Sequence, residues 1–300
     1  MAEALAGASA QDPGTYTGTP VLDYVKPAQL VESMVDAGAS KGTLPIGQMF
    51  VRGMLGGALL AYATGFAFLG VAQGMPPILA GALFPLGFMI INTIQADLAT
   101  GYFCYVPLAL IHKRINFSQL CRAFFWVYIA NLCGSLIVAW MLWAAITMTG
   151  ATKDPTGISA VLVKIGELKT LHYEQFGITG AFTCFIKGML CNWMVTLGVV
   201  LPLATRSTLA RMIVTFVPIY LFFGMGWEHA IVNMFIIPSA MLNGAPISLT
   251  DWWIGNELPA TLGNFTAGFV FTGLALGWTY MARTPKESVV GIQPAGAPVR

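Results

Sequence analysis

Charge is what this sequence has least of. Asp, Glu, Lys and Arg make up 9% of its 300 residues, against a hydrophobic share of 56% and a mean hydropathy of +0.72. Soluble domains have roughly 25% charged residues. A chain this poor in charge has too few polar groups to cover a water-facing surface, so its solvent is a bilayer. The formal charge of +2, without any basic cluster, gives no footprint for nucleic acid. No Walker A loop and no GxGxxG are present, which excludes nucleotide chemistry. The five cysteines have no CxxC spacing and read as small buried hydrophobes. Haem and metal sites need several converging His or Cys ligands, and one intramembrane His is too few. Neither a cofactor, nor a metal, nor an enzymatic activity is expected. Asn-Pro-Ala is also missing, which weighs against a neutral-solute channel of aquaporin type. The first 20 residues lack a basic stretch followed by an apolar core, so no cleavable signal is expected.

What is present is apolar sequence in long runs. A bilayer core needs about 20 apolar residues per helix. Segments near 52–72, 121–148, 180–204 and 258–282 fit that length. Pro77 to Ile111 spans 35 residues with Asp97 inside it, and Met212 to Thr250 spans 39 with Glu228, His229 and Pro238 inside. Each is too long for one crossing and too short for a comfortable pair. The economical reading is a helix broken near mid-membrane, its irregular backbone facing a cavity. The expected fold class is therefore all-α integral membrane, with six spans of which the second and fifth are broken.

With both ends cytoplasmic, eleven of the 15 Lys and Arg residues fall on the inner side, three on the outer side, and Lys187 within a span. The positive-inside rule then places both termini in the cytoplasm, and a plasma (inner) membrane location is expected. A segment "AQLVESMVDAGASK" is expected to lie at the inner surface. The expected organisation is a flexible tail over 1–27, a transporter domain over 28–283, and a disordered Pro/Gly/Ala-rich tail over 284–300.

Overlaying the halves, about 50–150 and 180–283, exposes a repeat. "RGMLGG" at Arg52 matches "KGMLCN" at Lys187, Pro85 matches Pro218, Asp97 matches Glu228, and Asn131 matches Asn264, all in order at nearly constant offset. Three spans per repeat is an odd number, so the second half is inverted relative to the first. Inverted repeats place the permeation site where the broken helices meet, at Asp97 and at Glu228–His229. Small-residue pairs such as Gly53/Gly57 and Ala130/Gly134 provide for close helix packing.

His229 is the one histidine within a span, suited to hydrogen-bond an anion or to give it a proton. On a helix, Glu228 points about 100° away. It is read as a structural acceptor for backbone amides or for a base such as Lys187, facing away from the cavity. Asp97 is assigned the matching role of pinning freed amides at the other break. Thr100 and Gly101 suit a narrow polar constriction, and Asn192 and Asn233 suit a cavity lining or an interhelical bond. Phe88, Phe222 and Phe223 are candidate apolar constrictions, although lipid contact is the commoner role for a membrane Phe. At such a constriction an ion must shed water, whereas a neutral acid passes.

These motifs resemble one family, the formate/nitrite transporters. "GWEHAIVNMFIIP" is similar to its fifth-span signature, G-F/Y-E-H-S-x-A-N-M-F. "KGMLCNWMV" is similar to its fourth-span motif, "DLATG" to the E-L-F-T-G of its second-span break, and "ELPATLGNFTAG" to its sixth-span P-V-T-L-G-N. The resemblance covers about residues 28 to 283. It implies an aquaporin-like fold, a homopentamer with one pore per protomer, and small monovalent anions as substrates: nitrite, formate, bicarbonate, lactate or hydrosulfide. Carried over by position, it makes His229 the central pore histidine that protonates or polarises the anion, Asn192 the fourth-span asparagine, and Thr100 the threonine of the second break. The resemblance leaves two modes open, passive passage of the anion and passage together with protons. Two positions depart from the pattern. Tyr102 stands where the family has Asn or His, a further candidate constriction. The family's vestibule lysine would fall at Phe176, so Lys169 can serve only if the outer segment realigns. "FIKGMLCNWMV" and the tail "TPKES" resemble the nitrite branch, which puts nitrite first and formate second.

Overall fold

The computed structural model describes residues 23–281 and contains no strand among them, only an isolated bridge between Tyr24 and Thr205. The C-terminal tail expected over 284–300 lies outside the described residues, as does the N-terminal tail up to residue 22. The helices are α1 (Pro27–Thr43), α2 (Ile46–Ala72), α3 (Pro77–Ile94, with a 3-10 turn at Gly81–Leu83), α4 (Ala99–Ile111) and α5 (Phe117–Thr147). They continue as α6 (Ile158–Lys169), α7 (Gly177–Ala204), α8 (Thr208–Gly224), α9 (Ala230–Leu242) and α10 (Leu249–Tyr280). Five of them, α2, α3, α5, α7 and α10, are long and apolar enough to cross a bilayer, and α4, α8 and α9 are shorter apolar helices. The chain is an integral membrane protein. Its helix order fits six crossings in which α3–α4 and α8–α9 are the two broken ones.

Both breaks begin with a left-handed residue. Helix α3 ends on Gln95 at φ 58, and the α8–α9 connection turns on Gly226 at φ 68. Neither position continues a right-handed helix. Pro238, read as part of the second interruption, instead sits inside α9. Thr100 and Gly101 are likewise not in irregular backbone; they occupy the first turn of α4.

Close approach of α2 and α5 is built on glycine. A Cβ at Gly57 would lie 2.2 Å from the Asn131 carbonyl oxygen, and one at Gly134 would lie 2.1 Å from that of Met54. Only a missing side chain allows these backbones to touch. Of the cysteines, Cys104, Cys184 and Cys191 are buried as expected, but Cys121 is exposed and Cys133 half-buried. Those two sit on outward-facing positions of α5, where apolar neighbours in sequence do not mean burial.

Helix α1 does not merely lie on a membrane surface. Its buried face (Val31, Met34, Val35) packs with Cys104, Tyr105 and Leu108 of α4 and with Val200. The residues just before it are pinned to the α7–α8 connection. Val25 N donates to the Ala204 carbonyl at 2.8 Å. The Asp23 carboxylate accepts from the Thr205 hydroxyl and the Arg206 amide, both at 2.7 Å, and from the Ser207 amide at 2.9 Å. These bonds, the Thr205 one foremost, hold the Asp23 pKa below the usual carboxylate value. Residues 23–25 of the stretch expected as a tail thus bond to the α7–α8 connection. The side of the molecule carrying α1 is termed proximal below, and the opposite side distal.

Candidate functional site

The two breaks are clamped in the same way by two buried asparagines. Asn131 on α5 accepts from the Ala99 amide and donates to the carbonyls of Asp97 and Gly53, each at 2.8 Å. Asn264 on α10 accepts from the Ala230 amide at 2.9 Å and donates to the carbonyls of Glu228 (2.9 Å) and Gly188 (2.8 Å). Every partner in the first set is the repeat equivalent of a partner in the second. An asparagine side chain provides one acceptor and two donors, which matches the freed amide and two carbonyls at each break. The freed amide of the first break is pinned by Asn131 and not, as the sequence suggests, by Asp97.

The acids themselves take lysine. Glu228 accepts from Lys169 Nζ (2.9 Å), the Tyr173 hydroxyl (2.8 Å), Asn233 (2.9 Å) and Asn256 (3.0 Å). Lys187 is not its direct partner. That lysine donates to the Tyr173 hydroxyl at 2.9 Å and reaches Glu228 only through it. Asp97 pairs with Lys41 of α1, and its second oxygen has no partner. Lys169 lies at the end of α6, 8% exposed, whereas Phe176 is 56% exposed at the start of α7.

Glu228 and His229 do take different sides, but not for the helical reason. His229 is extended (φ −109, ψ 115), and successive side chains of extended backbone alternate in direction. Glu228 lines the distal cavity, which His229 does not line. His229 is 1% exposed, stacked on Phe222 with ring centroids 5.5 Å apart. Its Nδ1 accepts from the Val232 amide at 3.2 Å, while Nε2 has no partner. With Nδ1 occupied as an acceptor, the neutral ring carries its proton on Nε2. A donor is therefore held in a buried site with nothing to receive it.

Thr100 and Asn192 belong to the same buried layer. Asn192 donates to the Thr100 carbonyl at 3.1 Å and to the Asn264 carbonyl at 2.6 Å, linking the two breaks through Asn264. The Thr100 hydroxyl and the Asn192 side-chain oxygen have no partners. A cavity of about 420 Å³ opens distally, lined by Lys169, Lys187, Glu228, Phe222 and Phe223 among others. A second, of about 190 Å³, opens proximally and is lined by Lys41, Arg211, Asn92, Gly101 and Tyr102 among others. Each mouth therefore carries two cations. Two phenylalanines of the distal lining pack on Phe84, Phe223 stacked at 4.0 Å and Phe222 edge-on at 5.6 Å. Phe88 and Phe222 are buried within the protein and do not face lipid.

Sequence reasoning missed several members of this site. Asn131 and Asn264 stood out in the repeat without being given a role, and their shared offset with the acids was the usable signal. Lys41 was read only as an inner-side charge. Asn256 and Glu257 precede the last apolar run. They lie in a π-helical stretch, Trp253–Glu257, where Glu257 is fully buried and accepts from Tyr128 (2.8 Å) and Trp252 (3.1 Å). No group of three or more His, Cys, Asp or Glu able to hold a metal occurs among the described residues.

Both the sequence and the fold have counterparts among known proteins. A "Probable formate transporter" of Methanothermobacter thermautotrophicus is 29% identical over 273 residues, covering 86% of this chain and 98% of that protein. The "Uncharacterized transporter YrhG" of Bacillus subtilis (strain 168) is 32% identical over 263 residues, covering 84% of this chain and 92% of its own length. Among solved structures, a "Pentameric formate channel with formate bound" superposes with a TM-score of 0.65 at 24% identity, over 79% of this chain and 98% of that one. The family model described as "Formate/nitrite transporter" matches residues 28–278. Clamped breaks, paired cavities and this match over most of the length lead to one conclusion: the chain belongs to the formate/nitrite transporter family, whose members move solutes across membranes and are not enzymes.

Proposed function

We propose that this protein passes small monovalent anions of weak acids, formate first, along a path from the distal cavity past His229 to the proximal one. The observation that carries this reading is the buried, unpartnered Nε2 of His229. An unpaired buried donor is costly, and the cost is recovered when an acceptor arrives. Lysines at each mouth raise the local anion concentration. The phenylalanines of the distal lining cannot solvate an ion, so the anion must shed water there. His229 compensates with a hydrogen bond from its Nε2–H that polarises the anion as it enters the apolar stretch; the neutral ring keeps that proton, and a proton that joins the anion to make the neutral acid comes from water in the cavity. Thr100 and Asn192 supply polar atoms of the same layer. Lys169 acts as the vestibule lysine, with Lys187 beside it through Tyr173. Glu228 keeps Lys169 in place, and Asp97 does the same for Lys41 at the proximal mouth.

The names of the Methanothermobacter relative and of the pentameric neighbour favour formate, which moves it ahead of nitrite. Nitrite is retained as the second reading on the strength of "FIKGMLCNWMV". Exposed apolar residues such as Tyr62 (73%) and Trp140 (55%) suit lipid and subunit contacts, and we assign the protein the pentameric state of that neighbour. Both termini are placed in the cytoplasm and the protein in the plasma membrane.

Flux into liposomes holding the purified protein tests the reading, with formate, nitrite and bicarbonate compared at about pH 5.5 and about pH 7.5. Formate flux is expected to exceed bicarbonate flux and to rise at the lower pH. His229→Ala is expected to lower it about tenfold or more with assembly intact. Unchanged flux in that variant rules out the role given to His229.

A further inference from the structure

The geometry points to Tyr102 as a specificity-determining residue of the proximal half, a hydrogen-bond donor that selects anions with good acceptor oxygens. This assignment rests on the reading of the protein as an anion pore.

Tyr102 follows Asp97 by five positions, as Asn233 follows Glu228, so the two are repeat equivalents. In the second half the Asn233 amide donates to Glu228 and to the Asn256 side chain (2.7 Å). In the first half the Tyr102 hydroxyl donates to nothing, although the residue is only 1% exposed. Asp97, five positions earlier in the break, is its neighbour, yet Oδ2 is likewise without a donor within hydrogen-bond distance, so no bond of normal length joins the carboxylate to the phenol. A buried hydroxyl left in this state needs an explanation. One is at hand in its surroundings. Tyr102 lines the proximal cavity together with Lys41, whose ammonium stands 5.2 Å from the phenol ring centre. An ammonium has three donors, and Asp97 occupies one here.

A planar oxyanion such as formate or nitrite has two acceptor oxygens, one for the phenol and one for a free N–H of Lys41. Hydrosulfide is monovalent too, but its sulfur is a weak acceptor with no second acceptor atom. The hydroxyl therefore favours small oxyanions over hydrosulfide.

The test compares formate and hydrosulfide flux in liposomes for wild type, Tyr102→Phe and Tyr102→His, each checked for assembly by size-exclusion chromatography. Tyr102→Phe should lower formate flux about tenfold while hydrosulfide flux stays within about twofold. Tyr102→His, which keeps a donor, should retain most of the wild-type ratio; if Tyr102→Phe fails to assemble, a wild-type ratio in Tyr102→His supports the donor role and a collapsed one overturns it. An equal loss for both anions in Tyr102→Phe would mean that the hydroxyl supports the break without choosing between anions, and unchanged flux of both would mean that the anion does not meet the hydroxyl. Either result overturns the assignment while leaving the pore reading intact. No wild-type flux of either anion would overturn the pore reading itself, and this assignment with it.

Discussion

The first half of the molecule holds its buried acid loosely, and the second half holds its own tightly. Glu228 accepts from four side chains, of which Lys169 is one. Asp97 has Lys41 and an unpartnered oxygen. The main-chain clamps at the two breaks are equivalent bond for bond. The repeat thus preserves what the fold needs at each break, namely satisfaction of freed backbone groups in a medium without water. Side-chain networks around the acids have diverged, and that is where the two mouths of the pore acquire different chemistry.

Breaking the clamps should have the largest effect. Asn264→Leu leaves the Ala230 amide and two carbonyls unsatisfied, at about 1–3 kcal/mol per group, and Asn131→Leu should cost the same. Thermal unfolding in detergent checks this, and a harmless result in only one of them breaks the equivalence. Next in size is the contrast between the lysines. Lys41→Met strands Asp97 with no donor, an expected loss of about 3–5 kcal/mol. Lys169→Met leaves Glu228 three neutral donors, so a smaller loss of about 1–3 kcal/mol is expected. The reverse order would mean that the proximal pair is solvated more than its burial indicates.

Smaller still is Tyr173→Phe, which removes one bond to Glu228 and frees Lys187, at about 1 kcal/mol. Replacing Gln95 by Gly, to match Gly226, should stabilise by up to about 1 kcal/mol, because the left-handed conformation costs a side chain that much. A modest rise in Tm is the readout, and a fall would show that the Gln95 side chain, bonded to the Asn92 carbonyl at 2.9 Å, matters more than its backbone. The least effect is expected at Asp23. Its folded-state pKa is depressed, so its contribution is present above the ordinary value of about 3.9 and is lost as pH falls through the lower folded value. Hydrogen exchange at the amides of Val25, Arg206 and Ser207 should quicken in that acid range, and in Asp23→Asn at neutral pH.

Much of this was legible in the residues. Two apolar runs of the wrong length, each with an acid inside, located both breaks to within a few positions. The shared offsets of Asp97/Glu228 and Asn131/Asn264 already paired the elements that the clamps later joined. What escaped was whatever depended on irregular backbone. Helical geometry does not give the direction of Glu228, because the helix begins only at Ala230 and His229 is extended. The partner of Glu228 was sought at Lys187, one span away, because the outer segment gave no register; α6 instead brings Lys169 to it. Lys41 and Glu257 were invisible, since a charge near a span end reads as solvated until a neighbouring helix is seen to cover it.

Composition, run length and repeat offset by themselves determined that this chain lives in a bilayer, folds as an inverted repeat, and breaks two helices around His229. These follow from hydrophobicity and from periodicity along the chain, both of which are one-dimensional quantities. Which donor meets which acceptor was decided only by the tertiary structure. The side chains concerned stand on helices distant in sequence, and a hydrogen bond forms or fails over less than an ångström.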